Sequence, residues 1–384
     1  MIYTRPDYFQ EFKCTADRCQ DTCCAGWQIM IDDDSIKRYK KIKGDYIWKI
    51  MTCIDWEEGC FRQDNTKRCA FLNSDNLCDL YKNVGEDALC KTCREYPRHT
   101  EEFEDVREVT LSVSCPEVAR ILMERLTPVS FVQEEYPEEK EILEFEEFDP
   151  FLYSIIEESR EAMLKELQNR SIPLRERAVL VLAMAHDMQR RINRREMFAC
   201  MSVIEKYKKP KAQKYVHDYI QKNIEEMSLT ESGMLQEEQL SRKMFSLLYE
   251  LEMLREEWDV LLHKSQNMLF FSSWEKFGSL KRKFELWEKE NPEIEIHLEQ
   301  ILIYFLYTYF SGSVYDGKLF AKVQMAVYCT WMIQLLWMAR WQMNGQKLEK
   351  LEMTEILYRF SREIEHSDEN IEKLDKMMEK KWLI

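Results

Sequence analysis

A chain of 384 residues with 70 acidic against 55 basic side chains has a formal net charge of −15. That balance excludes a surface built to neutralise nucleic-acid phosphates. Its 45% apolar content is globular, and nine glycines and nine prolines against 33% charged residues favour helices, because few positions are free for left-handed turns. At ~100–200 residues per domain, the length implies two domains or one with a large extension.

The N-terminal sequence MIYTRPDYFQEFKC has no basic region followed by an apolar stretch. No secretory leader is expected, and the chain reads as cytoplasmic, where thiols stay reduced. This matters because eleven of the thirteen cysteines fall in the first 115 residues, as Cys14, Cys19, Cys23, Cys24, Cys53, Cys60, Cys69, Cys78, Cys90, Cys93 and Cys115. Such crowding needs a disulfide framework, a metal site or an iron–sulfur cluster. A reducing compartment, and a chain long enough to bury a core without staples, favour metal or cluster.

In chain order, residues 28–31 (QIMI) predict a short strand. Asp32, Asp33, Asp34 and Ser35 offer caps for a helix through about Ile50. From Cys53 to Cys93 the sequence is irregular, punctuated by Gly59, Asn65, Asn73, Asp75, Asn76 and Gly85. Cys115 and Pro116 begin PEVARILMERL, a helix with proline in its first turn. The acidic stretch Glu134 to Asp149 also holds Ile142, Leu143, Phe145 and Phe148. It reads as an edge strand or linker, with an acidic lip for a lysine-bearing substrate as the sharper alternative.

From Phe151 onward the pattern is helical. Leu174, Val179, Leu182, Ala183, Met188 and Ile192 fall at helical spacing, and further helices are expected over 211–227, 236–263, 266–289, 293–310, 317–342, 350–365 and 368–381. Pro173, Pro210 and Pro292 stand at helix boundaries. The most apolar stretch, Leu319 to Met338, carries Lys322, Gln324 and Gln334, with Arg340 close behind. It reads as a buried core helix, and no membrane is expected as a partner. The fold class is mainly α: an irregular cysteine-rich metal or cluster domain (1–126), an acidic connecting segment (127–150) and an all-helical bundle or array (151–384).

Thiolates bind zinc tetrahedrally and also hold iron–sulfur clusters. Cys90 and Cys93, spaced C-x2-C, let both sulfurs reach one metal. Adjacent Cys23 and Cys24 point different ways, which assigns them different roles or different metals. Spacing alone does not choose between zinc and iron.

FKCTADRCQDTCCAGWQIMID, then RCAFLNSDNLCDLYKNVGEDALCKTCREYP and SCPEVAR, resemble the flagellin lysine N-methylases, within a wider CxxCxxCC family of zinc- or iron-chelating proteins. The resemblance is dense over 8–120 and diffuse beyond, resting there on LRERAVLVLA, ILIYFLYTYF and the EHS at 365–367. The first two cysteine gaps are four and three residues, which departs from the short family signature. The resemblance implies methyl transfer from S-adenosylmethionine to flagellin lysines, with a 4Fe–4S cluster, or alternatively zinc, in the cysteine domain. It implies Cys14, Cys19, Cys23, Cys24, Cys69, Cys78, Cys90, Cys93 and Cys115 as ligand candidates and leaves out Cys53 and Cys60. A single cluster takes four, so either several of these support the ligands or there are two centres. Cys200 and Cys329 read as buried apolar residues.

The residues themselves support methyl transfer only weakly. No two glycines lie within four residues, which excludes a Gly-rich nucleotide turn, and Gly26 breaks a C-x3-C-x2-C loop after Cys19 and Cys23. Catalytic and adenosylmethionine-binding residues therefore stay unassigned, as does the oligomeric state. Trp27, Trp48, Trp56, Tyr81 and Tyr96 are aromatic candidates for a sulfonium or a lysine. Arg94 and His99 are possible polar partners of a cluster, and Glu95 and Asp21 possible bases. The competing readings are a non-enzymatic metal-binding or redox-sensing protein, and a structural zinc domain on an enzyme of other activity.

Overall fold

The chain opens with strand β1 (Ile2–Pro6). The computed structural model describes residues 1–44, 46–137 and 148–380, with backbone alone at 212 and 224–229. Helix α1 (Asp33–Tyr39) is capped as expected: the Asp32 side chain accepts from the Ser35 N–H at 2.9 Å. The helix expected to reach Ile50 ends early. Gly44, at φ 106°, takes a left-handed conformation before α2 (Ile47–Cys53). Nor is QIMI a strand in its own right. Its backbone lies along the hairpin of β2 (Ile54–Asp55) and β3 (Cys60–Phe61), with Ile31 N–H donating to Gly59 O and Phe61 N–H to Ile29 O. Two short helices follow, α3 (Asp79–Val84) and α4 (Lys91–Glu95), whose cap residues are Cys78 and Cys90. Then come β4 (Arg98–Phe103), β5 (Val106–Leu111), α5 (Pro116–Glu124), which starts at Cys115 with proline in its first turn, and β6 (Phe131–Glu135).

Four of these strands form one sheet in the order β4-β5-β1-β6. β1 runs parallel to β5, in register Ile2 with Val106, and antiparallel to β6, with Pro6 opposite Phe131. The sheet was not anticipated. Its hairpin turns at Glu104 and Asp105, with Glu104 at φ 46°, where an Asn-Gly pair would have signalled it. The edge-strand reading of the acidic stretch holds for Glu134 and Glu135, whose charges suit an unpaired edge. Residues 138–147 of that stretch lie outside the described residues.

Beyond the sheet run α6 (Pro150–Leu167), α7 (Leu174–Asn193), α8 (Phe198–Tyr207), α9 (Pro210–Leu229), α10 (Glu231–Ser246), α11 (Glu256–Phe270), α12 (Trp274–Glu290), α13 (Glu293–Phe310), α14 (Ser313–Asp316), α15 (Leu319–Met343), α16 (Lys350–Glu365) and α17 (Asp368–Met378). The protein is mainly α, as its composition required. The helix expected over 236–263 is two, α10 and α11. Asn370 seals the break between them by accepting from Glu252 N–H at 2.7 Å and donating to Glu252 O at 2.9 Å. No sequence signal near 250 announces that partner, which arrives from 118 residues away. Pro173, Pro210 and Pro292 do stand at the starts of α7, α9 and α13. α15 is the one helix among the described residues long and apolar enough to cross a membrane, and it is mostly buried within the protein, against α13, α7, α17 and α11.

Buried apolar side chains form two clusters. The smaller gathers Ile29, Tyr39, Ile50, Ile54, Phe61, Phe71 and Leu80 with Cys53, Cys69 and Cys90. The larger joins the helices to Phe12, Phe103, Leu111, Val113 and Val118, so the sheet and α5 pack with the helical array. Charge is buried there too. Glu299, fully buried, accepts from Arg170 at 2.8 Å and from Arg177 at 2.6 Å, which ties α7 and the 168–172 turn to α13. Glu299→Gln leaves the buried Arg177 with Glu295, at 2.7 Å, as its remaining carboxylate, and is expected to lower stability by about 2 kcal/mol in urea unfolding. On the same helix His297 is fully buried, and among the described residues neither ring nitrogen meets a hydrogen-bond partner. Burial, reinforced by Lys350, lowers its pKa to about 4 from an unfolded value near 6.5. The folded state holds it neutral, so its contribution is complete above about pH 6.5 and is lost as pH falls towards 4. His297→Leu is therefore expected to shrink the loss of urea stability between pH 7 and pH 4.5.

Candidate metal centre

The segment carrying Cys14 to Cys24 is held in part by local bonds. Ala16 N–H approaches the Cys14 sulfur at 3.4 Å, the Cys19 thiol faces Asp21 O at 3.3 Å, and Cys24 N–H donates to the Thr22 hydroxyl at 3.2 Å. Backbone bonds then pair the segment with 67–69: Cys69 N–H donates to Cys24 O at 2.8 Å and Gly26 N–H to Lys67 O at 2.9 Å. Gly26 sits at φ 91°, and a Cβ there would meet the Arg255 guanidinium at 2.2 Å. No other residue fits that position while Arg255 keeps its place.

Cys23 and Cys24 lie in a turn that sets their thiols side by side, so the expectation that they point different ways does not hold. The Cys23 thiol donates to Cys24, which holds Cys23 up; Cys115 and Cys14 add to the same effect. The bond draws Cys24 down to about 7, the range of a reactive thiolate. Cys93 and Cys90 form a second such pair, with Cys93 raised by it and Cys90 lowered, and Cys24 and Cys69 also bear on Cys93. Burial pushes Cys69 up to about 12 and Cys115 up to about 11, and it raises Cys78 as well. Backbone N–H groups oppose that rise: Phe71 at Cys69, Tyr81 and Leu80 at Cys78, Val118 and Glu117 at Cys115. Those amides stabilise sulfur as thiolate, the form a metal binds. Among the described residues no three Cys, His, Asp or Glu side chains are grouped tightly enough to hold a single metal ion.

Of the cysteines set aside from the ligand set, Cys53 bears directly on Cys69. Cys60 accepts from the Gln28 amide at 2.8 Å, Cys53 lies in the smaller apolar cluster, and Cys200 and Cys329 are buried among helices.

The thiol-bearing segment meets the helical array at the C-terminal end of α16. Arg362, almost wholly buried, donates to Ser114 O at 2.8 Å and to Asp21 O at 2.7 Å, and its guanidinium pairs with the Asp21 carboxylate at 2.7 Å. Arg255 grips the same carboxylate at 2.9 Å. The two arginines outweigh burial and hold Asp21 below the usual carboxylate range. Asp21 is thus a structural anion rather than the base its position offered.

Beside it, Trp27, Tyr96 and His366 form a half-buried aromatic trio, with Trp27 and His366 ring centres 4.5 Å apart and Tyr96 5.7 Å from His366. Trp27 donates to Cys23 O at 2.7 Å, and the Tyr96 and His366 polar atoms both reach the Ser114 hydroxyl. Glu365 accepts from Ser361 and Tyr304 at 2.6 Å, from Tyr309 at 3.0 Å, and from Ser112.

Of the five aromatic candidates, the fold therefore brings Trp27 and Tyr96 together. Trp48 is 78% exposed and Tyr81 51% exposed, and Trp56 packs under Lys40. His99 pairs with Glu101 on the exposed β4, and Arg94 is exposed. Sequence reasoning passed over Arg255, Ser114 and Arg362. His366 and Glu365 lie in the EHS run, which was noted only as part of a resemblance.

The array that supplies α16 defines the class of protein. Residues 160–383 match the FliB lysine N-methylase C-terminal domain, and the chain belongs to that family. Over 131 residues it is 30% identical to the lysine-N-methylases of Salmonella typhimurium and Salmonella choleraesuis, covering 31% of this chain and 32% of each relative. The same identity relates it to the flagellar biosynthetic protein FliU of Salmonella muenchen, over 76% of that protein. The match thus spans about a third of the curated lysine-N-methylases. No solved structure matches the chain.

Arg362→Ala would release both Asp21 and Ser114 from α16. We expect it to lower stability by about 3 kcal/mol and to speed alkylation of Cys19 and Cys23 in the metal-free protein, as read by peptide mapping.

Proposed function

We propose that this protein methylates flagellin lysine side chains in the cytoplasm, with S-adenosylmethionine as methyl donor and thiolates holding a 4Fe–4S cluster near the reacting groups. The observation that carries the reading is the membership of residues 160–383 in a lysine N-methylase domain family, supported by relatives named as lysine-N-methylases and as a flagellar biosynthetic protein. The same matched region supplies Arg362 and His366, which touch the cysteine segment directly.

The transfer forms an N–CH3 bond on lysine and breaks the S–CH3 bond of the sulfonium, leaving a thioether. Lysine attacks only as the neutral amine, so its proton must leave first. The half-exposed faces of Trp27 and Tyr96 attract a sulfonium or an ammonium group. Arg362 and Arg255 fix the loop on which Trp27 sits. A net charge of −15 draws a lysine-bearing surface towards the protein. Bound at the thiols, a cluster supplies an anchor for that loop and a charge that varies with redox state.

The test is transfer of label from methyl-labelled adenosylmethionine to flagellin of the same organism, using anaerobically purified protein. Label on flagellin lysines is expected, and Trp27→Ala is expected to lower the rate about tenfold with metal content unchanged. No label from protein that retains its metal would overturn the reading in favour of a non-enzymatic metal-binding or redox-sensing protein.

A further inference from the structure

Between Arg190 and Lys214 the sequence carries nine basic and two acidic side chains, against a net charge of −15 for the whole chain. Such a local reversal marks a surface that attracts anions, and the fold gives part of it a shape. The C-terminal half of α7 and the facing side of α8 flank an open groove of about 340 Å3. The α7 wall is Asp187, Arg190, Arg191 and Arg194, and the α8 wall is Ala199, Ser202, Val203 and Lys206. Each set falls at positions i, i+3, i+4 and i+7, the one face a helix turns towards a neighbour. Two helices packed for stability alone would meet there with apolar residues. Instead four of the eight residues are cations, and Ala199 and Ser202 are too small to fill the space.

The walls are held in place from behind. The Gln189 amide donates to Gly317 O at 2.8 Å and its carbonyl accepts from Phe320 N–H at 3.1 Å, which ties this end of α7 to the start of α15. Cys200 and Ile204, both fully buried, pack α8 into the larger apolar cluster. Within the groove two of the cations are already matched. Asp187 accepts from Lys206 at 3.1 Å and from Tyr207 at 3.2 Å, and Arg191 pairs with Glu196 at 2.8 Å. Arg190 and Arg194, one turn apart and both exposed, meet no carboxylate among the described residues. Cations at the end of α7 complement its dipole, which accounts for the charge but not for facing stripes left unfilled. The turn after α7 also carries Arg195 at φ 59°, a left-handed position that glycine takes without strain.

We infer that the groove between α7 and α8 binds a small phosphate-bearing organic ligand, with Arg190 and Arg194 as its unpaired donors. An arginine fork fits two phosphate oxygens at once. The groove exceeds the size of one phosphate and falls within the range of small-ligand sites, about 300–1,000 Å3, so the phosphate belongs to a larger molecule. Its length is two turns of each helix, about 10 Å, which suits a small molecule and is too short for an acidic polypeptide. The inference depends neither on methyl transfer nor on a metal.

The test is calorimetric titration of the full-length chain with inorganic phosphate and with adenosine diphosphate, at low and at high salt. Adenosine diphosphate is expected to bind at one site per chain, more tightly than phosphate, and more weakly as salt rises. Arg190→Ala and Arg194→Ala should each weaken it about tenfold. Ser202→Phe fills the groove without changing its charge and should weaken it to a similar degree. All three side chains are exposed, so the thermal midpoints without ligand should match that of wild type. S-adenosylmethionine should not compete, which separates this groove from a methyl-donor site. The inference is overturned by the absence of saturable binding, by displacement with S-adenosylmethionine, or by binding that survives all three substitutions. Binding weakened by the arginine variants but untouched by Ser202→Phe would also overturn it, since that result describes a charged surface and not a shaped site.

Discussion

The contact on which the arrangement depends is the Arg362 guanidinium. It is almost fully buried, it joins the C-terminal end of α16 to Ser114 and Asp21, and its charge is matched by the Asp21 carboxylate. A neutral residue could not do this. The two carbonyl oxygens it satisfies belong to segments 93 residues apart, and both flank cysteines. Arginine presents several donors in one rigid plane, so it can serve both carbonyls and the carboxylate at once. Arg255 closes the other side of Asp21 and occupies the space a side chain at Gly26 would need.

From that contact follow the two faces of the site. One face belongs to the cysteine segment: thiols whose burial disfavours charge, opposed by backbone amides that favour thiolate. The other belongs to the helical array, which contributes His366, Glu365 and the tyrosines around it. The aromatic trio of Trp27, Tyr96 and His366 lies on the seam. Burial and the nearby arginines push His366 down to about 3, so its imidazole is neutral at physiological pH and can stack and hydrogen-bond without adding positive charge beside Arg362. Glu365 is occupied by four hydroxyl groups. The polar residues of the seam are therefore largely committed to holding the two parts together, while the aromatic faces stay half open.

The helical array was largely legible. Most of its helices fall near where apolar spacing placed them, α8 being unanticipated, three prolines mark helix starts, and Leu319–Met343 is buried in the core as its scattered polar residues implied. Legibility failed where the partner is distant. The break at 247–255 depends on Asn370, and the parallel pairing of β1 with β5 joins residues about a hundred positions apart. A five-residue strand such as Ile2–Pro6 carries too short a pattern to announce that pairing. The single helix expected from Asp32 to Ile50 is divided at Gly44, where the backbone takes a positive φ that glycine alone adopts without strain.

By itself, the sequence determined the helical class and the crowding of thiols into the first 115 residues, because these depend on composition and on where the cysteines stand along the chain. Tertiary structure alone decided which thiols are neighbours, that Trp27 and Tyr96 share a site while Trp48 and Tyr81 face solvent, and that Asp21 is an anchor. Those outcomes are set by Arg255, Ser114 and Arg362. Nothing in the local sequence of those residues marks them, because their role exists only once a buried charge must find its partner across the fold.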